Sequence, residues 1–157
     1  MNTRLLALTL APAVVMLAAC GHPSPSWPTV PTPPSPLIPG GPGTPAISFT
    51  NVPPRGTYPA TVTGTVQHVL PRDHRVAVYI HTWNGWWTKP YWDSPLTTIS
   101  DVGEFACSIT TGGIDDRADT VVAYLVLASY APSLASGDSA IPGTIESTAL
   151  AKATARR

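Results

Sequence analysis

The chain has 157 residues, nine basic and nine acidic, so its formal net charge is zero, and only 11% of its residues are charged. A balanced charge gives no electrostatic reason to expect a nucleic acid or an acidic membrane surface as partner. The length is sufficient for one hydrophobic core and argues against two.

The N-terminus has the pattern of a secretory signal. Arg4 precedes an apolar run from Leu5 to Ala19 that only Thr9 and Pro12 interrupt. A positive start, a short apolar stretch and small residues at its end predict a signal peptide over residues 1–19. The run is shorter than the roughly 20 apolar residues of a transmembrane helix.

The end of this run, Leu17-Ala18-Ala19-Cys20, resembles the lipobox of bacterial lipoproteins. The resemblance implies cleavage after Ala19, diacylglycerol on the Cys20 sulfur and a further acyl chain on the new amino group, which together anchor a protein firmly. Gly21 in place of Asp favours the outer membrane where the cell has one. We therefore expect a cell-envelope lipoprotein that reaches the membrane through Cys20. Cys107 is then left without a partner and is predicted to be a small buried hydrophobe.

A proline-rich segment follows the cysteine, over residues 20–45. It holds more than half of the chain's 19 prolines: Pro23, Pro25, Pro28, Pro31, Pro33, Pro34, Pro36, Pro39, Pro42 and Pro45. Such a composition predicts an extended polyproline II or disordered linker, because it lacks backbone donors and apolar side chains to pack.

Residues 46–157 show short strand patterns separated by turn residues, with no long helical periodicity. The predicted strands are 47–51, 60–70, 75–83, 86–92, 96–100, 104–111, 120–129 and 146–154, with a loop over 130–143. Val62, Gly64 and Val66 are expected on one face of their strand, opposite a row of threonines. The spacing predicts an all-β fold, an antiparallel β-sandwich of immunoglobulin or fibronectin type, with a five- or six-stranded barrel as the alternative.

Three segments of this domain carry a second resemblance. They are Gly85-Trp86-Trp87-Thr88-Lys89-Pro90-Tyr91-Trp92, Gly103-Glu104-Phe105 and Gly112-Gly113-Ile114-Asp115-Asp116-Arg117-Ala118. Over residues 47–157 the chain is similar to a little-characterised β-sandwich module of secreted bacterial proteins. Some of these modules occur beside carbohydrate-active enzymes, so the resemblance favours carbohydrate binding.

The aromatic cluster is the main candidate for a binding site. Trp83, Trp86, Trp87, Tyr91 and Trp92 fall within ten residues. On a strand, Trp86, Thr88 and Pro90 share one face, and Trp87, Lys89 and Tyr91 share the other. Exposed aromatic planes suit the C–H faces of sugar rings, and an exposed apolar patch needs a reason.

The predicted carbohydrate-binding residues are accordingly six: Trp86, Trp87, Lys89, Tyr91, Trp92 and Asp93. The four rings would stack on sugars, and the two charged side chains would bind hydroxyl groups. Two alternatives remain open. The same aromatics could anchor a protein partner in the envelope, or they could be buried in a purely structural domain.

Other chemistry finds little support. Asp115, Asp116 and Asp119 match no calcium loop and favour a turn or short helical turn, and the histidines match no zinc spacing. Gly137-Asp138-Ser139 lacks the strand–turn–helix context of a serine nucleophile, and the domain has only two glutamates. We therefore expect neither a metal, a cofactor nor an enzymatic activity.

Overall fold

The computed structural model describes residues 39–157, so the predicted signal peptide, Cys20 and most of the linker lie outside the described residues. The strands are β1 (Ala46–Asn51), β2 (Thr61–Gln67), β3 (His74–Thr82), β4 (Gly85–Lys89), β5 (Leu96–Thr97), β6 (Glu104–Ser108), β7 (Thr120–Leu127), β8 (Ser136–Asp138) and β9 (Ala151–Arg156). One α-helix, α1, covers Gly143–Thr148, and 3-10 turns cover Pro71–Asp73 and Asp115–Arg117. No helix in this part of the chain is long and apolar enough to span a membrane.

The strands form two antiparallel sheets. The smaller sheet has the order β1-β2-β6, and the larger has the order β8-β4-β3-β7-β9, with β5 paired to β3 beside β4. When the strands are lettered as in immunoglobulin-like domains, β1-β2-β6 corresponds to A-B-E and β4-β3-β7-β9 corresponds to C′-C-F-G. The predicted antiparallel sandwich is thus confirmed, and the barrel alternative is wrong.

The main core lies between the two sheets and follows from period-2 alternation. In β2, Val62, Gly64 and Val66 share one face as predicted; this face is buried, and the threonines between them stay partly exposed. They pack with inward residues of the larger sheet, among them Val78 and Leu125.

The larger sheet is also covered on its outer face. A second cluster there includes Tyr79 and Tyr124, whose rings meet edge to face with centroids 6.0 Å apart. The covering layer is the segment 130–149, from which Ala135 and Ile145 are fully buried. Strands β3 and β7 are consequently buried on both sides, which explains their nearly continuous apolar sequence.

Several predicted boundaries need correction. The last strand was expected at 146–154, but 143–148 is helical and β9 begins at Ala151. Ile145 is a buried member of the second cluster, and the helical turn that carries it replaces the first part of the predicted strand. The strand predicted to reach Trp92 stops at Lys89, because Pro90 has no N–H to donate to a ladder. The segment predicted as a loop contains the short strand β8.

The sandwich has two distinct ends. At the linker end, β1 starts at Ala46, opposite Gln67. Gly40 of the linker lies close to Leu70 at this end, because a Cβ atom on Gly40 would be 2.7 Å from Leu70 Cδ2. At the hairpin end, Trp83 and Asn84 form the two-residue turn between the paired residues 82 and 85 of β3 and β4. The nine residues of β3 run from one end to the other, a span of about 30 Å.

Candidate functional site

A cavity of about 500 Å³ opens at the hairpin end of the sandwich. Its wall is formed by the β3–β4 turn, strand β4 with the residues after it, and the segment that follows β6. The lining residues are Trp83, Asn84, Trp87, Thr88, Lys89, Pro90, Tyr91, Trp92, Thr111, Gly112, Gly113, Ile114 and Asp115. This volume lies within the range of pockets that bind small ligands.

Strand alternation determines which tryptophan of β4 reaches this cavity. Trp87 points to the side of the main core, packs against it and lines the cavity. Trp86 lies on the outer face, where its ring contacts His81 with centroids 4.9 Å apart and packs on the second cluster. Of this adjacent pair, the cavity therefore includes Trp87 alone.

Three aromatic rings at the cavity are largely open to solvent. Trp83 is 76% exposed, and Tyr91 and Trp92 are each 54% exposed. Trp83 is held in the turn, and the other two follow Pro90, where β4 has ended. Large aromatic rings are mostly buried in folded domains, so the exposure of these three marks an apolar surface with room for a ligand.

The floor of the cavity contains a buried ion pair. Lys89 is 5% exposed, and its ammonium group binds Oδ2 of Asp115. The same oxygen accepts the backbone N–H groups of Thr111 and Gly112, both at 2.9 Å. Lys89 Nζ also donates to Thr111 Oγ1 at 3.2 Å. These contacts join β4 to the turn after β6 and hold both walls in register.

Two polar atoms of residues that line the cavity are left without a hydrogen-bond partner among the described residues. The indole Nε1 of Trp87 is buried and has no hydrogen-bond partner among the described residues. Asp115 Oδ1 makes no hydrogen bond within this part of the protein, since all the contacts above use Oδ2. A buried N–H without an acceptor costs about 1–3 kcal/mol.

The structure brings together four of the six predicted binding residues: Trp87, Lys89, Tyr91 and Trp92. It does not bring Trp86 or Asp93 to the cavity. Trp86 lies on the opposite sheet face, and Asp93 is exposed outside the lining. Lys89 was predicted to bind a sugar hydroxyl, whereas its ammonium is occupied by Asp115 and Thr111.

Residues 111–115 also line the cavity, which was not predicted from the sequence. The turn predicted around Asp115 is confirmed as a 3-10 turn, but its carboxylate faces Lys89, 26 residues away in sequence. The signal that was available is the pair Gly112-Gly113, whose lack of side chains leaves room beside the rings. Trp83 belongs to the predicted aromatic cluster but not to the six predicted binding residues, and it lines the cavity.

A second groove, of about 620 Å³, lies on the outer face of the larger sheet. His81 Nδ1 lies 3.2 Å from Asp119 Oδ1, and Thr120 Oγ1 donates to the same oxygen at 2.7 Å. The Thr120 hydroxyl and then His81 lower the pKa of Asp119. Ser139 lines this groove, but Trp86 stands between His81 and the strand that precedes the serine. Within residues 39–157, no three His, Cys, Asp or Glu side chains are arranged to hold a metal ion.

The fold and the cavity together define an immunoglobulin-like β-sandwich with an aromatic-walled cavity at one end. A scan against protein-family models found no match. Searches of curated proteins and of solved structures found no significant similarity.

Proposed function

We propose that the protein is a lipid-anchored binding module of the bacterial cell envelope, in the outer membrane where the cell has one, and that its cavity binds carbohydrate. The observation that carries this proposal is the set of three exposed rings around a cavity with a polar floor. The lipid on Cys20 and the extracytoplasmic location rest on the sequence pattern of residues 1–20.

In this proposal the rings and the floor have different tasks. Tyr91, Trp92 and Trp83 supply aromatic planes for the C–H faces of sugar rings. The exposed amide of Asn84 donates to a sugar oxygen, and Asp115 Oδ1 accepts from a hydroxyl. Lys89 contacts no sugar and instead fixes Asp115, so it is a positioning residue.

A protein partner is the second candidate, and the position of Trp83 favours it. This ring stands at the tip of a two-residue turn with 76% of its surface exposed. A protruding tryptophan is a frequent anchor in protein–protein interfaces. A purely structural role for the cluster would need buried rings, and it does not fit the exposure of Tyr91 and Trp92.

The carbohydrate proposal is tested by calorimetric titration of the mature chain, residues 20–157 with Cys20→Ser, against a panel of soluble glycans. We expect saturable binding that Tyr91→Ala and Trp92→Ala each weaken at least about tenfold. Tyr58→Ala is the matched control, because Tyr58 is 75% exposed and lies outside the cavity lining. Absence of binding to every glycan, or equal weakening by the control, would refute the proposal.

The anchoring proposal is tested separately in a bacterial host that is fed an alkyne-labelled fatty acid. We expect the label in the wild type and in Cys107→Ser, and its loss in Cys20→Ser. Cys107 serves as the control because it is the chain's other cysteine. A Cys20→Ser protein that stays labelled would contradict the proposal.

A further inference from the structure

The cavity contains no free charge. Of its lining residues only Lys89 and Asp115 are ionisable near neutral pH, and they are bound to each other. Their side chains are 6% and 8% exposed, so solvent screens neither of them. The remaining wall consists of aromatic rings, threonine, glycine, proline, isoleucine and asparagine residues.

The ion pair is firmly held by its neighbours. Asp115 Oδ2 receives the Lys89 ammonium and two backbone N–H groups, and Thr111 Oγ1 donates to the carbonyl of Pro90 at 2.7 Å. A ligand charge that displaced either member would therefore leave its partner buried and unpaired. Breaking a buried pair in this way costs several kcal/mol.

From this arrangement we infer that the ligand is an uncharged glycan segment, and that acidic and basic sugars are rejected; this inference rests on the proposed carbohydrate-binding function. A uronate carboxylate would have to take Lys89 from Asp115 or enter the apolar wall unpaired. An amino sugar cation would have to take Asp115 from Lys89. Hydroxyl and acetamido groups meet neither penalty, because they can bond to the Asn84 amide and to Asp115 Oδ1 without disturbing the pair.

The charged groups around the cavity lie outside its lining. Arg157 Nη1 donates to the Asp115 carbonyl oxygen at 3.3 Å, but Arg157 does not line the cavity. Arg117 Nε lies 3.3 Å from Asp116 Oδ2, so this pair is also internally compensated. Asp93 is exposed and outside the lining, where water and salt screen it. Ligand binding should therefore depend weakly on ionic strength, unlike the binding of acidic polymers by basic surfaces.

The inference is tested with pairs of glycans that share a backbone and differ in the charge of one substituent, added to the panel above. Oligogalacturonate is compared with its methyl ester, N-acetylated chito-oligosaccharide with its deacetylated form, and neutral glucan, xylan and mannan oligosaccharides with their acid-substituted forms. Titrations use the mature chain with Cys20→Ser and the Trp92→Ala variant. We expect every glycan that binds through the cavity to be neutral, with at least about tenfold lower affinity for its charged counterpart.

Repeating the titrations at several salt concentrations gives an independent readout. We expect the affinity for a bound neutral glycan to change less than about twofold between 50 and 500 mM NaCl. A charged glycan that binds more tightly than its neutral counterpart, and loses binding in Trp92→Ala, would overturn the inference and leave the proposed function standing. If no glycan of either kind binds, the proposed function fails, and the inference fails with it.

Discussion

The ion pair beneath the cavity gives a quantitative prediction for Lys89→Met. Methionine keeps most of the length of the lysine side chain but removes its charge, so Asp115 is left as a buried carboxylate with two backbone N–H donors. Loss of one partner of a buried pair typically costs about 3–5 kcal/mol. The two remaining donors place the expected loss near the lower limit, at about 3 kcal/mol of unfolding free energy.

The double variant Lys89→Met/Asp115→Asn isolates the cause. The asparagine oxygen still accepts from the backbone N–H groups of 111 and 112, and no charge is left unpaired. We therefore expect its stability to return to within about 1 kcal/mol of the wild type. Both variants are measured by urea denaturation of the mature chain, followed by far-ultraviolet circular dichroism.

Lys152→Met is the matched control for this experiment. Lys152 pairs with Glu146 at 2.7 Å, but both side chains are more than 40% exposed. Exposed pairs contribute about 1 kcal/mol or less, so the control should lose far less stability than Lys89→Met. If Lys89→Met is no less stable than the control, or the double variant is no better than the single one, the buried pair does not have the role assigned to it.

Three further predictions concern the rest of the domain. Burial raises the pKa of the Cys107 thiol to about 11. In the chain with Cys20→Ser, a thiol reagent at neutral pH should therefore modify Cys107 only after urea unfolds the protein, and modification of the folded protein would contradict the burial of this thiol. The Lys152 hydrogen bond, and then that of Tyr124, lower the pKa of Glu146. The contribution of Glu146 to stability should thus be present above its usual pKa of 4.5 and fall away as the pH drops through the lowered pKa. In urea melts at several pH values, the unfolding free energy of Glu146→Gln should therefore fall less steeply with decreasing pH than that of the wild type. Identical pH dependence in the two proteins would contradict this prediction. A Cβ atom on Gly64 would overlap the Ser48 carbonyl oxygen and the Phe105 ring, so Gly64→Ala should lose at least about 2 kcal/mol of unfolding free energy in the same melts. Gly112→Ala is the control, because a Cβ atom on Gly112 would meet open space. Equal losses of stability in the two variants would refute the steric argument.

The strands that could be predicted from sequence are those with a strong local pattern. β2 alternates valine and glycine with threonine, and β7 is apolar on both faces, so periodicity and burial give the same answer for each. Opposite orientations of Trp86 and Trp87 also followed from alternation alone. That alternation already implied that the two rings could not share one binding surface.

The elements that could not be predicted depend on tertiary contacts. The helix α1 has six residues and one buried apolar side chain, Ile145, which is too little for a helical period to emerge. Short β8 forms because it can pair with β4, and its own sequence has no strand pattern. The contact between Lys89 and Asp115 spans 26 residues, so sequence could offer both charges but not their pairing.

The two ends of the sandwich determine how the domain would bear mechanical load. The linker enters β1 at Ala46, whereas the cavity opens at the opposite end of the sandwich, beside the turn between β3 and β4. If the linker is tethered and a polymer held in the cavity is pulled outward, tension runs along the strand axes. The hydrogen bonds between β1 and β2 then resist sliding together instead of opening one after another. If the linker is anchored in a membrane, the same geometry places the cavity at the end of the domain away from the anchor.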